Sequence, residues 1–158
     1  ARRQRQMCIR DSPGSEHWPK LERNTSNRFE ARMVQVKINK SNSNFFDGME
    51  GSQLLVPVNH GEGKMIFPEH VSAKKIISDN LVPMQFCTNK GIEAKEFPEN
   101  PNGSTNGITA VTNDDGRFLI MMPHPERSFL NNQLSWTNEK GKHSPWFKLF
   151  LNARNFYS

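Results

Sequence analysis

The sequence predicts an α/β domain, and three observations support that fold class. Residues 33–39 (MVQVKIN) alternate apolar and polar side chains, the pattern of a half-buried strand. Residues 108–112 and 117–122 flank the turn sequence NDDG and together predict a hairpin. Residues 146–156 form an amphipathic pattern that predicts a last helix. Strands interleaved with helices indicate a layered arrangement of sheet and helix.

Weaker patterns predict the remaining elements. Residues 54–58 (LLVPV) predict a short buried strand, although Pro57 argues against a central place in the sheet. Residues 68–79 predict a helix with a weak apolar stripe, and residues 82–88 predict another strand. Turns or loops are predicted for the polar, glycine-rich or proline-rich segments, which are residues 44–51, 60–63, 98–107 and 131–144.

The start of the last helix carries its own signal. Ser144 is expected to cap it and Pro145 to be its first residue, because proline suits the first turn of a helix. Its apolar positions fit one face and are Phe147, Phe150, Leu151 and Ala153.

Length and composition exclude several classes of protein. A chain of 158 residues suits one domain, and no apolar run approaches the ~20 residues of a membrane span. The net charge is +5, but the first twelve residues, with four arginines and one aspartate, account for +3 of it, and the remaining charges are mixed. Neither nucleic-acid binding nor membrane insertion is therefore expected. Two cysteines, Cys8 and Cys87, do not make a disulfide framework, and a cytoplasmic location is expected.

The segment MMPHPER, residues 121–127, carries the clearest chemical signal. Its two prolines predict an extended backbone, in which His124 and Glu126 point to the same side, roughly 7 Å apart along the chain. A carboxylate beside an imidazole fixes its tautomer and supports a general base for a thiol or hydroxyl nucleophile. The spacing alone fits a solvated turn better, so the pattern by itself leaves both interpretations open.

The sequence NHGEG, which we call the NHGEG loop, is the second candidate. Two glycines let a backbone approach a ligand closely and expose its amides. Side chains of the types found here bind amides and amino acids. The candidate binding residues are Asn59, His60, Gly61 and Glu62. An ordinary glycine turn after a strand is the competing interpretation.

Several separate motifs resemble the glutaminase domain of phosphoribosylformylglycinamidine synthases. The resemblance extends from residue 13 to the C-terminus, and its motifs are unrelated to one another. The region of Trp136 and the SPW ending resemble the large single-chain form of the enzyme, in which this domain is C-terminal. The motifs are PGSEHWP (13–19), NTSNRFEAR (24–32), GMEGSQLLVPVNHGEG (48–63), residues 100–127 and SPWFKLFLNARNF (144–156).

This resemblance implies a class I, or triad, glutamine amidotransferase domain with a flavodoxin-like α/β fold. In that family a cysteine attacks the side-chain amide of glutamine, a histidine moves protons and a glutamate orients the histidine. By motif match His124 is the general acid/base, Glu126 its orienter, and the NHGEG loop binds glutamine, through backbone groups at Gly61 and Glu62. Ammonia would pass to synthase domains of the same chain, which would hold ATP and Mg²⁺. No metal or cofactor is expected in the present segment.

The family's nucleophile motif, Gly-x-Cys-x-Gly-x-Gln, has no counterpart in this sequence. Cys8 lacks flanking glycines, and Cys87 falls in a predicted strand, where a buried structural thiol is expected. Our hypothesis is that residues 1–12 are foreign and that residues 13–158 are a partial glutaminase domain, incomplete at the N-terminus and inactive alone. Two alternatives stay open, a non-catalytic pseudoglutaminase that acts as an interaction module and a glutaminase serving another ligase.

Overall fold

The computed structural model describes residue 14, residues 16–138 and residues 140–158. Within these residues the chain forms a mixed α/β fold, which confirms the predicted class. The predicted foreign segment, residues 1–12, and Cys8 lie outside the described residues. The strands are β1 (Lys20–Glu22), β2 (Glu30–Ile38), β3 (Gln53–His60), β4 (Lys64–Ile66), β5 (Met84–Phe86), β6 (Ile108–Thr112) and β7 (Leu119–Met121), and the helices are α1 (Ala73–Ser78) and α2 (Phe147–Tyr157).

Five strands form the main sheet, in the order β3-β2-β5-β6-β7. All pairings among them are antiparallel, and the longest ladder joins β2 to β3, from Glu30 opposite His60 to Lys37 opposite Gln53. Strands β1 and β4 form a separate antiparallel pair. Strand β3 therefore lies at an edge of the main sheet and carries His60 at its end.

Two hydrophobic cores stabilise the sheet. The β2 side chains alternate between buried and exposed positions, so that Val34, Val36 and Ile38 face the larger core. Helix α2 contributes Trp146, which precedes it, and Leu149 to the same core. The second core combines residues of β4, α1 and β6 with residues of the connecting segments, and consists of Trp18, Met65, Ile76, Leu81, Val82, Ile108 and Val111.

The strongest sequence signals correspond to real elements. The alternation at residues 33–39 is β2, and residues 54–58 lie within β3, at the sheet edge that Pro57 favours. The NDDG hairpin joins β6 to β7, and its turn closes with the Gly116 N–H donating to the Asn113 carbonyl over 3.0 Å.

Two predicted elements are shorter in the structure. Helix α1 begins after Ser72 and is followed at Asn80 by a positive φ of 60°, which an α-helix does not continue through. Strand β5 begins after Pro83, which has no N–H to donate, and Cys87 forms only an isolated bridge with Glu93.

The last helix begins two residues later than predicted, at Phe147 instead of Pro145. The Phe147 N–H donates to the Ser144 carbonyl, and the Ser144 hydroxyl accepts from the Trp146 N–H, so residues 144–146 form a tight turn before the α-helix. Ser144 thus supplies the predicted side-chain cap from one turn before α2. Among the described residues, no helix is long and apolar enough to cross a membrane.

Candidate active site

His124 and Glu126 are in direct contact. The Nδ1 atom of His124 lies 2.6 Å from Oε1 of Glu126. The backbone between them is not extended as predicted, because Pro125–Arg127 forms a 3-10 helical turn. The prediction was wrong since a proline with φ near −65° also suits the first position of such a turn. The turn brings the two side chains together.

The contact determines which nitrogen of the His124 imidazole carries the proton. At 2.6 Å the Nδ1–H donates to a carboxylate, a short charge-assisted bond. In the neutral ring the Nε2 atom is then an acceptor that can take a proton from a nucleophile. The His124 side chain is 31% exposed, so a ligand can reach it. This pair has the chemistry of a general base with its orienting carboxylate.

Backbone contacts hold His124 against the edge of the sheet. Its N–H donates to the Pro57 carbonyl of β3 over 2.8 Å. Two residues earlier on the same strand, the Leu55 carbonyl accepts from the indole Nε1 of Trp146 over 2.8 Å. These donors satisfy carbonyls that a further strand would otherwise use. The position of His124 is therefore set by β3.

The NHGEG loop overlaps the end of β3, because Asn59 and His60 are the last two residues of the strand. Asn59 and Gly61 are half-buried, Glu62 is exposed, and Gly63 is buried. His60 is only 7% exposed, so its side chain belongs to the support of the loop rather than to its open surface. Of the candidate binding residues, His60 at the end of β3 lies within electrostatic range of His124.

His60 and His124 interact electrostatically. The pKa of His60 is lowered to about 4, first by burial and second by His124, while Glu30 acts in the opposite direction. Glu30 faces His60 across the β2–β3 ladder. His60 is therefore neutral at pH 7.

The sequence profile of CobB/CobQ-like glutamine amidotransferase domains matches residues 7–157. The chain belongs to this family. Among solved structures, the structure of PurLQS from Thermotoga maritima is similar with a TM-score of 0.63 and 22% sequence identity. The match covers 89% of this chain and 53% of that chain, so the present chain spans about half the length of that relative. At this identity the similarity shows the fold.

Two residues of this glutamine amidotransferase domain escaped sequence reasoning. Asn24 and Asn102 are buried and hydrogen-bond to the NHGEG loop, through His60 and Gly63. Both lie in motifs that carry the resemblance, and Asn102 lies in a segment predicted only as turns. For Asn102 the neighbouring glycines of PENPNGSTNG are a signal that could have identified it, whereas nothing comparable surrounds Asn24.

Cys87 is unsuited to act as the nucleophile of an amidotransferase. The thiol is 2% exposed, and its burial raises the pKa of Cys87, an effect that Lys37 partly offsets. It follows β5, which is separated from β3 by β2. A buried structural thiol was the prediction, and the structure confirms it.

Metal ligands are not grouped in this part of the amidotransferase domain. Within the described residues, no cluster of three histidine, cysteine, aspartate or glutamate side chains is placed to hold a metal ion.

Proposed function

We propose that this domain supports hydrolysis of the side-chain amide of glutamine. The ammonia would serve ATP-dependent amidation of formylglycinamide ribonucleotide in purine biosynthesis. The observation that carries the proposal is the 2.6 Å contact between His124 and Glu126 in a chain of a glutamine amidotransferase family. The motif resemblance supports the purine-pathway substrate.

In the proposed reaction, His124 takes the proton of a cysteine thiol and Glu126 stabilises the resulting imidazolium. The thiolate attacks the amide carbon, His124 returns the proton to the departing ammonia, and a thioester forms. Water, activated by the same histidine, then releases glutamate and regenerates the thiol. The atoms balance as glutamine plus water giving glutamate plus ammonia.

The NHGEG loop would bind glutamine, with backbone groups of Gly61 and Glu62 nearest the substrate. Asn59 and His60 complete the predicted binding residues, His60 from its buried position. ATP and Mg²⁺ would belong to synthase domains of the same chain in the cytoplasm. The partners of the present domain would be glutamine and those domains.

The nucleophile must come from outside the two cysteines of this sequence. Cys8 lacks the flanking glycines of a nucleophile turn, and Cys87 is buried with a raised pKa. We therefore expect the 158-residue chain to bind glutamine without hydrolysing it. The same observation favours the second candidate, a pseudoglutaminase that acts as an interaction module.

Sequencing the genomic DNA upstream of the Pro13 codon separates the two candidates. An in-frame Gly-x-Cys-x-Gly-x-Gln turn supports the enzyme, and the product of that gene should hydrolyse glutamine. Replacing His124 by alanine there should lower kcat by about 10²–10⁴-fold, the usual contribution of a general base. A gene that encodes residues 1–12 as they stand, with no such turn, would leave only the interaction module.

A further inference from the structure

Two buried asparagines organise the NHGEG loop from outside it. Asn24 is 1% exposed and Asn102 is fully buried. The two are joined through the Thr25 N–H, which donates to the Asn102 carbonyl over 3.1 Å. Buried amides of this kind are expensive unless every donor and acceptor has a partner.

Asn24 uses its whole amide on the loop and its own segment. Its Nδ2 group donates to the His60 carbonyl over 2.8 Å and to the Arg28 carbonyl over 2.9 Å. Its Oδ1 atom accepts from the Gly63 N–H over 3.0 Å. Its backbone N–H also donates to the Gly61 carbonyl over 2.9 Å. Asn24 thus fixes the backbone on both sides of the turn.

The amide of Asn102 has only one possible orientation. Its Nδ2 group donates to the Gly63 carbonyl over 2.7 Å, and its Oδ1 atom accepts from the Ser104 N–H over 3.0 Å. A carbonyl only accepts and a backbone N–H only donates, so the two ends of the amide cannot be exchanged. The Nδ2 group therefore also faces Nε2 of His60, 3.3 Å away.

This orientation determines the state of His60. Facing a donor, its Nε2 atom accepts, which places the single proton of the neutral ring on Nδ1, a buried atom without a hydrogen-bond partner among the described residues. A proton on Nε2 of His60 would point at the Nδ2 N–H of Asn102, and neither group could accept the other's hydrogen. Gly63 lets the ring occupy this place, because a Cβ there would lie 2.1 Å from the imidazole.

We infer that Asn24 and Asn102 are positioning residues of the amidotransferase site. Together they fix the backbone of the NHGEG loop, and Asn102 keeps His60 uncharged so that the adjacent His124 can carry the positive charge. The inference rests on the proposed function. Of the charged and titratable groups, His124 acts on His60 from the segment after β7 and Glu30 from β2.

The geometry agrees with the electrostatics. In the proposed reaction His124 becomes an imidazolium each time it takes the cysteine proton. A second imidazolium at His60 would oppose that charge in a region of low dielectric. Burial and the nearby charge of His124 lower the pKa of His60 to about 4. The Nδ2 donor of Asn102 also disfavours the charged form of His60, because it occupies the position that a proton on Nε2 would need.

Nitrogen-15 NMR of the 158-residue chain tests the role of Asn102 directly. At pH 7 we expect His60 to be protonated on Nδ1 and bare on Nε2. The Asn102→Asp variant replaces the donor by a carboxylate, which should raise the His60 pKa and place a proton on Nε2. The exposed Asn89→Asp change is the matched control and should alter neither.

A proton on Nε2 of His60 in the wild-type protein would overturn the role of Asn102. The wild-type spectrum decides this even where N102D does not fold. A folded N102D protein with the wild-type tautomer and titration would overturn it equally. A simple packing role for Asn102 predicts that unchanged tautomer.

Binding of L-glutamine, followed by NMR titration, tests the role of Asn24. In the Asn24→Asp variant an oxygen replaces the donor of two hydrogen bonds, to the His60 and Arg28 carbonyls, and we expect a Kd about tenfold or more weaker because the loop is no longer held in place. An unchanged Kd in a folded N24D protein would overturn this role. A wild-type chain that binds no glutamine would contradict the proposed function, whereas the His60 tautomer would still decide the role of Asn102.

Discussion

The His124 N–H donates to the Pro57 carbonyl over 2.8 Å, so the candidate base is fixed to the strand that ends at His60. Both parts of the site therefore depend on the position of one edge strand. A shift of β3 would move the histidine and the NHGEG loop together. Contacts along that edge become the first place to test the arrangement.

Trp146→Phe should destabilise the domain although phenylalanine keeps an aromatic ring at this position. The change removes the indole N–H that donates to the Leu55 carbonyl in a residue that is 1% exposed. Loss of this hydrogen bond and of part of a buried side chain costs about 1–3 kcal/mol, which urea unfolding should register as a lower free energy of unfolding. Trp136→Phe is the control, because Trp136 is 73% exposed and should change stability by less than about 0.5 kcal/mol. Equal effects at the two tryptophans would contradict the importance of the Leu55 contact.

Two glycines of one loop should differ in how much an alanine destabilises the domain. A Cβ at Gly63 would lie 2.1 Å from the His60 ring, whereas a Cβ at Gly61 would meet nothing closer than Phe29 at 3.7 Å. We expect Gly63→Ala to cost about 1–3 kcal/mol of unfolding free energy, as overpacking does, and to displace the His60 ring. Gly61→Ala should stay within about 1 kcal/mol of wild type. Thermal melts and the His60 NMR signals measure both effects, and a reversed order would refute the packing of the His60 ring against Gly63.

Sequence patterns correctly predicted the elements whose structure depends on residues close together in the chain. The alternation of β2, the NDDG hairpin and the amphipathic α2 all depend on periodicity or turn chemistry within a few residues. The pairing of His124 with Glu126 could also be predicted, because only one residue lies between them. The backbone conformation of the two residues could not be predicted, since proline is compatible with both an extended segment and a tight turn.

Contacts between distant segments could not be predicted. Asn24 and Gly63 are 39 residues apart, and nothing in either segment identifies the other as its partner. The same holds for Trp146 and Leu55, which are 91 residues apart. Sequence reasoning placed the NHGEG loop in the site but could not show that the His60 side chain is buried, because burial depends on Asn102 and on the packing around β3.

Acid should weaken the fold through His60. Its folded-state pKa is about 4, below the ordinary 6.5, so in the range between these values the unfolded chain binds the proton and the folded chain does not. Above pH 6.5 the residue has no effect, and stability falls as the pH drops from 6.5 toward 4, by at most about 3 kcal/mol.

Urea unfolding at pH 7 and pH 4.5 measures this loss. His60→Gln should reduce the difference between the two pH values, because the glutamine side chain does not titrate. His70→Gln, at an exposed position, should keep the wild-type difference. An undiminished pH dependence in folded H60Q protein would show that other groups cause it.

Cys87 should react slowly with a thiol reagent in the native protein. The side chain is 2% exposed and burial raises its pKa, so little thiolate is present or accessible at pH 8. In a Cys8→Ser background we expect the single thiol to react promptly only after denaturation, in a spectrophotometric assay. Cys87→Ala should leave glutamine affinity unchanged, because the thiol is remote from the candidate site. Rapid native labelling that glutamine prevents would instead place Cys87 at the site.

Glu126→Gln should affect catalysis far more than stability. The Glu126 carboxylate is 53% exposed, so its replacement should change the free energy of unfolding little. The substitution removes the charge that holds the His124 proton on Nδ1 and stabilises the imidazolium. In the gene product that contains the nucleophile cysteine, kcat for glutamine hydrolysis should fall by about 10²–10⁴-fold with KM changed little. Glu69→Gln, at another exposed carboxylate, is the control and should retain wild-type kcat. An E126Q enzyme with full kcat would remove Glu126 from the mechanism, whereas a raised KM at constant kcat would make it a residue of glutamine binding.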